Sequence, residues 1–167
     1  MKRNIVRTIF FLATLLLSLA AVALADDDGT CSNARVAGEW GYSETGTLYL
    51  PTGAVPYASV GSYTLDADGN LSGSRTASAG GAIKNATIKG TATVNSDCTG
   101  TETLSFYDPT SGSLTSTAVK FVVYVDHARE ARKIVTSAAL ANGTSVGAVL
   151  TTNAKKQFPG RGKEHED

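Results

Sequence analysis

The groups from which this chain could build chemistry are few: two cysteines, one histidine before the C-terminal tail, one loop of alternating oxygen side chains, and a scatter of aromatic rings. Cys31 and Cys98 are the whole cysteine content. An even number in a chain that reads as exported points to one disulfide. A nucleophilic thiol needs nearby cations to stabilise its thiolate, and Asp97 beside Cys98 acts in the opposite sense. Joining the two closes a loop of roughly 67 residues, for which loop entropy gives about 4 kcal/mol of stabilisation.

His127 stands in Asp126-His-Ala-Arg-Glu130, where an acid–base pair can be drawn, while His165 lies in the tail. General acid–base catalysis needs its group positioned in a pocket, whereas this segment reads as a charged bend between strands. No catalytic residue is assigned. Asp66-Ala-Asp-Gly-Asn70 places three oxygen side chains at alternate positions, as a calcium loop does. An EF-hand loop would need glycine at its sixth position and glutamate at its twelfth, and these are Leu71 and Ala77. The stretch reads as a hairpin turn stabilised by its own side chains, and no metal site is assigned. No serine sits in a Gly-x-Ser-x-Gly elbow, no His/Cys set has zinc spacing, and the phosphate-cradling glycine loops are missing, so no cofactor is expected. Asn85-Ala-Thr87 and Asn142-Gly-Thr144 match the glycosylation sequon by pattern alone.

The aromatic residues offer recognition chemistry. Trp40, Tyr42, Tyr63, Phe106, Phe121 and Tyr124 are candidate lining for a ligand cavity, with ordinary core packing as the alternative. Small residues at inward positions, such as Gly61, Gly73, Ala86, Gly90 and Ala92, leave volume that must be filled or remain open.

The elements that would position these groups are strands. From about Val36 onward, short alternating segments are punctuated by turn residues every eight to twelve positions or so. The strands expected are Gly38–Leu50, Ala58–Leu65, Leu71–Ser78, Ile83–Val94, Thr99–Tyr107, Leu114–Asp126, Arg132–Ser137 and Ser145–Thr152. Ala86, Ile88, Ala92 and Val94 share one face of the fourth, opposite Asn85, Thr87, Lys89 and Thr91. In the sixth, Lys120-Phe-Val-Val-Tyr-Val125 is nearly continuous in apolar residues, which suggests that a loop, the N-terminal segment or another subunit covers its outer side. Eight sequential hairpin-linked strands need an edge solution. The expected fold is all-β, a single eight-stranded antiparallel up-and-down barrel, with a two-sheet sandwich as the alternative.

Lys2, Arg3 and Arg7, an apolar run from Ile9 to Leu19, and Ala23-Leu24-Ala25 follow the order of a secretory signal, which assigns residues 1–25 to a signal peptide. The run is far short of the roughly 20 residues that span a bilayer, so no membrane span is expected after cleavage. Asp28-Gly29-Thr30 before Cys31 is unlike a lipobox. Removing the signal leaves 12 of the 15 basic residues against 15 acidic ones, a mature charge of about −3. Such a surface gives nucleic acid no strong reason to bind. The remaining division is an N-terminal segment 26–35, a barrel domain 36–153 and a disordered tail 154–167.

Gly38-Glu39-Trp40 on the first strand resembles the Gly-x-Trp that opens lipocalin barrels, where the tryptophan closes the barrel floor. A broader resemblance runs through Gly41-Tyr-Ser-Glu-Thr-Gly-Thr47, Asp66-Ala-Asp-Gly-Asn-Leu-Ser-Gly73 and Val94-Asn-Ser-Asp-Cys-Thr-Gly-Thr101. These stretches are similar to a group of uncharacterised secreted bacterial proteins, whose folds are expected to be lipocalin-like or allene-oxide-cyclase-like barrels. The resemblance implies a secreted or periplasmic barrel and brings no activity with it. The functional expectation is a non-enzymatic exported barrel that binds a small apolar or amphipathic ligand or serves as an envelope interaction module, with a homo-oligomer left open. An enzyme built around a cyclase-like cavity and a purely structural module are the alternatives.

Overall fold

A computed structural model describes residues 30–157. The expected signal peptide and residues 158–167 of the expected tail lie outside the described residues. The chain forms one short helix, α1 (Asn33–Val36), and eight strands: β1 (Gly38–Leu50), β2 (Gly53–Leu65), β3 (Asn70–Ala79), β4 (Ala82–Val94), β5 (Thr99–Tyr107), β6 (Leu114–Val125), β7 (Glu130–Leu140) and β8 (Gly147–Lys156). Each strand pairs antiparallel with the next, and β8 returns to β1 from Trp40↔Lys156 to Tyr49↔Gly147, closing an up-and-down barrel. Closure excludes the two-sheet sandwich. It also corrects the C-terminal boundary, because β1 offers partners as far as Trp40 and so β8 runs on to Lys156, past the expected end at Thr152.

Alternation decides which side chains enter the barrel. Trp40, Tyr42 and Glu44 of β1, Leu104 and Phe106 of β5, and Lys120, Val122 and Tyr124 of β6 face inward. Two register shifts interrupt this pattern, one of them between β5 and β6, where Phe106 pairs with Ser116 and Tyr107 with Leu114 so that Thr115 is extra. Between β6 and β7, Lys120 pairs with Val135 and Val119 with Ser137, so Thr136 is an extra residue, and its hydroxyl donates to the Val119 carbonyl at 3.1 Å. The bulge reverses the parity of β7 and sets Ala138 opposite inward-facing Ala118. Gly46 lies at a φ of +150° against β8, where a Cβ would run into the Val149 carbonyl oxygen, so only glycine lets β1 and β8 close at that point.

One end of the barrel is shut. Ser32 caps α1 by accepting from the Arg35 N–H at 3.2 Å. The fully buried Trp40 indole N–H donates to the Val36 carbonyl at 3.0 Å, and Lys156 Nζ donates to the Arg35 carbonyl at 2.8 Å. Cys31 and Cys98 form the expected disulfide, with a sequence separation of 67, fastening the residues before α1 to the β4–β5 turn. Above this plug, Val36, Trp40, Leu65, Leu71, Ala92, Tyr124 and Ala131 belong to one apolar cluster. A second, smaller one, built on Tyr57, Ala77, Val135 and Leu150, lies toward the other end.

On the outside, Phe121 and Ile134 pair across β6 and β7 and are 43% and 47% exposed. Among the described residues nothing covers this face. No described loop is the expected cover of the sixth strand.

Candidate functional site

The end of the barrel opposite α1 contains a cavity of about 140 Å³. Its apolar wall is Leu48, Phe106, Ala118, Val135, Ala138 and Leu150, and Tyr57, Arg75, Glu44 and Lys120 also face it. The space follows from the strands. The β7–β8 ladder runs only from Glu130↔Lys155 to Ile134↔Thr151, whereas β1 and β2 stay paired through Leu50↔Gly53. Past Ile134 the ladder lapses and resumes only at the Ala139↔Ser145 bridge, beside which the Val146 N–H donates to the Ala138 carbonyl at 2.9 Å, and the bulge at Thr136 turns the small side chain of Ala138 into the space left between.

Deeper in, the barrel is full. A crevice among Tyr42, Tyr63, Ile88, Leu104 and Lys133 holds only about 10 Å³, no more than one water's worth. The small inward residues that suggested open volume are matched by neighbours that use it. A Cβ on Gly61 would lie 2.9 Å from Cε1 and 3.0 Å from Oη of Tyr42. One on Gly90 would lie 2.9 Å from Cδ2 of Leu104.

Two buried ion pairs form a polar layer between the apolar clusters. Lys133 Nζ donates to both oxygens of Glu102, at 2.6 and 2.9 Å, and to Tyr63 Oη at 2.7 Å. Lys120 Nζ donates to Glu44 Oε2 at 2.7 Å and to Thr152 Oγ1 at 3.1 Å. The four charged side chains are almost wholly withdrawn from solvent. Burial pushes the Lys133 ammonium below its ordinary pKa, and the Glu102 carboxylate pulls against that. Both inward carboxylates are thus engaged by lysines, and among the described residues no group of three or more His, Cys, Asp or Glu side chains could hold a metal ion.

The tyrosines near this layer stay neutral. Burial raises Tyr42, Tyr57 and Tyr63 above the ordinary phenol value; the Arg75 charge opposes it at Tyr42 and Tyr57, and Glu102 reinforces it at Tyr63. Tyr57 Oη and Ser59 Oγ are buried and, among the described residues, have no hydrogen-bond partner. Ser59 is near enough to influence both Tyr42 and Tyr57 but reaches neither in hydrogen-bonding geometry.

No protein-family model matches this chain, and no curated protein matches it. The fold does have solved counterparts. The structure described as EF1p2_mFAP2b bound to DFHBI superposes with a TM-score of 0.51 at 14% identity, over 76% of this chain and 100% of that one. A redesigned β barrel, mFAP1, bound to DFHBI, gives a TM-score of 0.43 at 16% identity over 75% of this chain and 98% of its own. At these identities the likeness is one of architecture.

Of the six aromatic residues expected to line a cavity, Phe106 alone is on the wall of this one. Trp40 lies at the shut end, stacked on Tyr63 at 6.2 Å and edge-on to Tyr124 at 6.1 Å. Tyr42 fills the middle layer against Tyr63, at 6.0 Å. Phe121 faces out, which corrects its placement in the cavity. Side chains alternate with a period of two, so Phe121 and Tyr124, three apart in one regular strand, cannot both face in. His127 is exposed on its bend, 3.8 Å from Asp126. At the Asp66 turn the carboxylate accepts from the Asp68 and Asn70 backbone N–H groups and from Asn70 Nδ2, as a hairpin turn requires.

Sequence reading missed Glu44, Arg75, Glu102, Lys120 and Lys133. The signal was available in the alternation itself: Glu102 shares parity with Leu104 and Phe106, and Lys120 with Val122 and Tyr124.

Proposed function

We propose that the protein is an exported barrel that binds a small apolar or amphipathic molecule in the cavity opposite α1. The observation that carries this reading is the cavity itself. About 140 Å³ of apolar-walled space is kept open at one end of a barrel whose interior is otherwise packed. A cavity of about this size holds a ligand of one aromatic ring. A short chain could extend from it through the gap between β7 and β8. Polar groups at the edge of an apolar space orient a ligand, and Tyr57 Oη offers an unused donor and acceptor for that purpose. A barrel of similar architecture is bound to DFHBI, which supports the view that such a frame can carry a small ligand. The disulfide fits an oxidising compartment, in keeping with export.

Thermal unfolding of the mature protein in the presence of small aromatic and aliphatic compounds tests the reading. A ligand at one hundred times its Kd stabilises by about 2.7 kcal/mol, enough to raise Tm by several degrees. Ala138→Phe, which fills the space from the bulge side, is expected to fold with an unchanged circular dichroism spectrum and to lose the shift. No response from any compound, or the same response in the filled variant, would refute it.

A further inference from the structure

We propose that the ligand is an anion with a small apolar body, and that Arg75 is the residue that reads its charge. This deepens the reading of the cavity as a ligand site and rests on it. Among the described residues six charged side chains stand at inward positions: Glu44, Glu102, Lys120, Lys133, Arg75 and, at the shut end, Lys156. The first four close on one another as two ion pairs, Glu44 with Lys120 and Glu102 with Lys133. Lys156 is held at the plug by the Arg35 carbonyl, so Arg75 is the one cation at the cavity that has no counter-charge among the described residues.

Arg75 is half-buried, and its Cζ sits 3.5 Å from the ring centroid of Phe106 and 6.0 Å from that of Tyr57. Stacking uses the face of the guanidinium and leaves its five N–H donors, all in the plane, for an acceptor. Among the described residues the Arg75 side chain makes no hydrogen bond and no ion pair. The outer-surface Arg129 and Arg132, by contrast, pair with Asp126 and Glu130 at 3.3 and 2.8 Å. An arginine inside the barrel has more to gain from a counter-ion than either of these, because water screens it less.

The unpartnered hydroxyls of Tyr57 and Ser59 lie on β2, the strand paired with Arg75's own. Burial keeps Tyr57 protonated and therefore a donor. A planar guanidinium edge, a phenol O–H and an apolar wall together fit a small carboxylate, with its oxygens toward Arg75 and its body against Leu48, Val135 and Leu150. The Glu44 carboxylate does not oppose this arrangement, since Lys120 neutralises it.

The test compares matched pairs differing in charge, octanoate with 1-octanol and benzoate with benzyl alcohol, by isothermal titration of the mature protein at pH 7. At least one carboxylate is expected to bind about tenfold or more tightly than its alcohol, the scale of one charge-assisted hydrogen-bonded contact. Arg75→Gln is expected to remove that preference, bringing each carboxylate to within about threefold of its alcohol in the same variant. Alcohols binding as tightly as the acids, or a preference that survives Arg75→Gln, would overturn the assignment to Arg75 and leave the cavity as a neutral ligand site. No binding by any of the four, with no response in the wider thermal panel, would overturn both. The wild-type comparison needs no variant, so a poorly folding Arg75→Gln protein does not rescue the proposal.

Discussion

Lys133 and Lys120 bring charge into a space that apolar side chains could have filled. Withdrawing an ammonium from water costs several kcal/mol, and a carboxylate partner with further hydrogen bonds offsets that cost. Each lysine reaches across the barrel: Lys133 on β7 meets Glu102 on β5 and Tyr63 on β2, and Lys120 on β6 meets Glu44 on β1 and Thr152 on β8. Deleting one partner strands the other. Lys133→Met should lower unfolding stability in urea by about 3–5 kcal/mol, and adding Glu102→Leu should restore most of it. A single variant as stable as the parent would show that the pair contributes nothing. These residues escape a reading by composition, since a lysine in an apolar run looks like a solvated edge. Parity finds them, because Leu104 and Phe106 mark the inward positions of β5 and Glu102 falls in step with them.

At the scale of the element, turns and plug carry most of the local chemistry. Asp66, Asp97 and Asp108 hold the β2–β3, β4–β5 and β5–β6 turns, and hydrogen bonds keep their carboxyls below the ordinary value of 3.8. The leading donors are Asn70 Nδ2, the Thr99 hydroxyl and the Ser111 backbone N–H respectively. Glu130 is held below 4.5, first by its bond from Lys155. A depressed carboxyl contributes stability that is complete above its unfolded value and is lost as pH falls through the folded one. Tm should therefore be level from about pH 7 to 5 and fall below about pH 4; a flat or rising profile there would contradict the assignment.

The disulfide ties these elements to α1. Cys98→Ser should cost about 4 kcal/mol by the loop-entropy argument. It should leave the β signature in circular dichroism and shift Trp40 emission to the red as the plug loosens. An unchanged denaturation midpoint would show that the bridge is not structural. Strands were legible because the alternation and turn residues are local signals; β1 and β5 fall where the sequence places them. The far end of β8 was not, because its extra residues are held by a partner strand distant in sequence, as Trp40 holds Lys156; nor was the start of β2, where Pro56 interrupts the strand signal although Gly53 to Tyr57 pair back onto β1. The helix has four residues, too few for a period to show.

Taken whole, the molecule solves its edge problem by closure, and closure is what makes an interior to divide. Plug, apolar cluster, ion-pair layer and a second cluster that walls the cavity follow one another along the axis, so the cavity lies at the end without the disulfide. That order was beyond the sequence. The tryptophan that drew attention to one end is packing, while the cavity depends on where the β7–β8 ladder lapses and on one bulged threonine, Thr136, neither of which leaves a compositional mark. The account stands on the claim that the cavity is the binding site. The most direct test is a titration of the isotope-labelled mature protein with octanoate, followed by amide chemical-shift mapping. Shifts concentrated at Leu48, Arg75, Ala118, Val135, Ala138 and Leu150 are expected, with little change around Trp40 or on the outer face at Phe121 and Ile134. Shifts confined to that outer face, or to the α1 end, would contradict it.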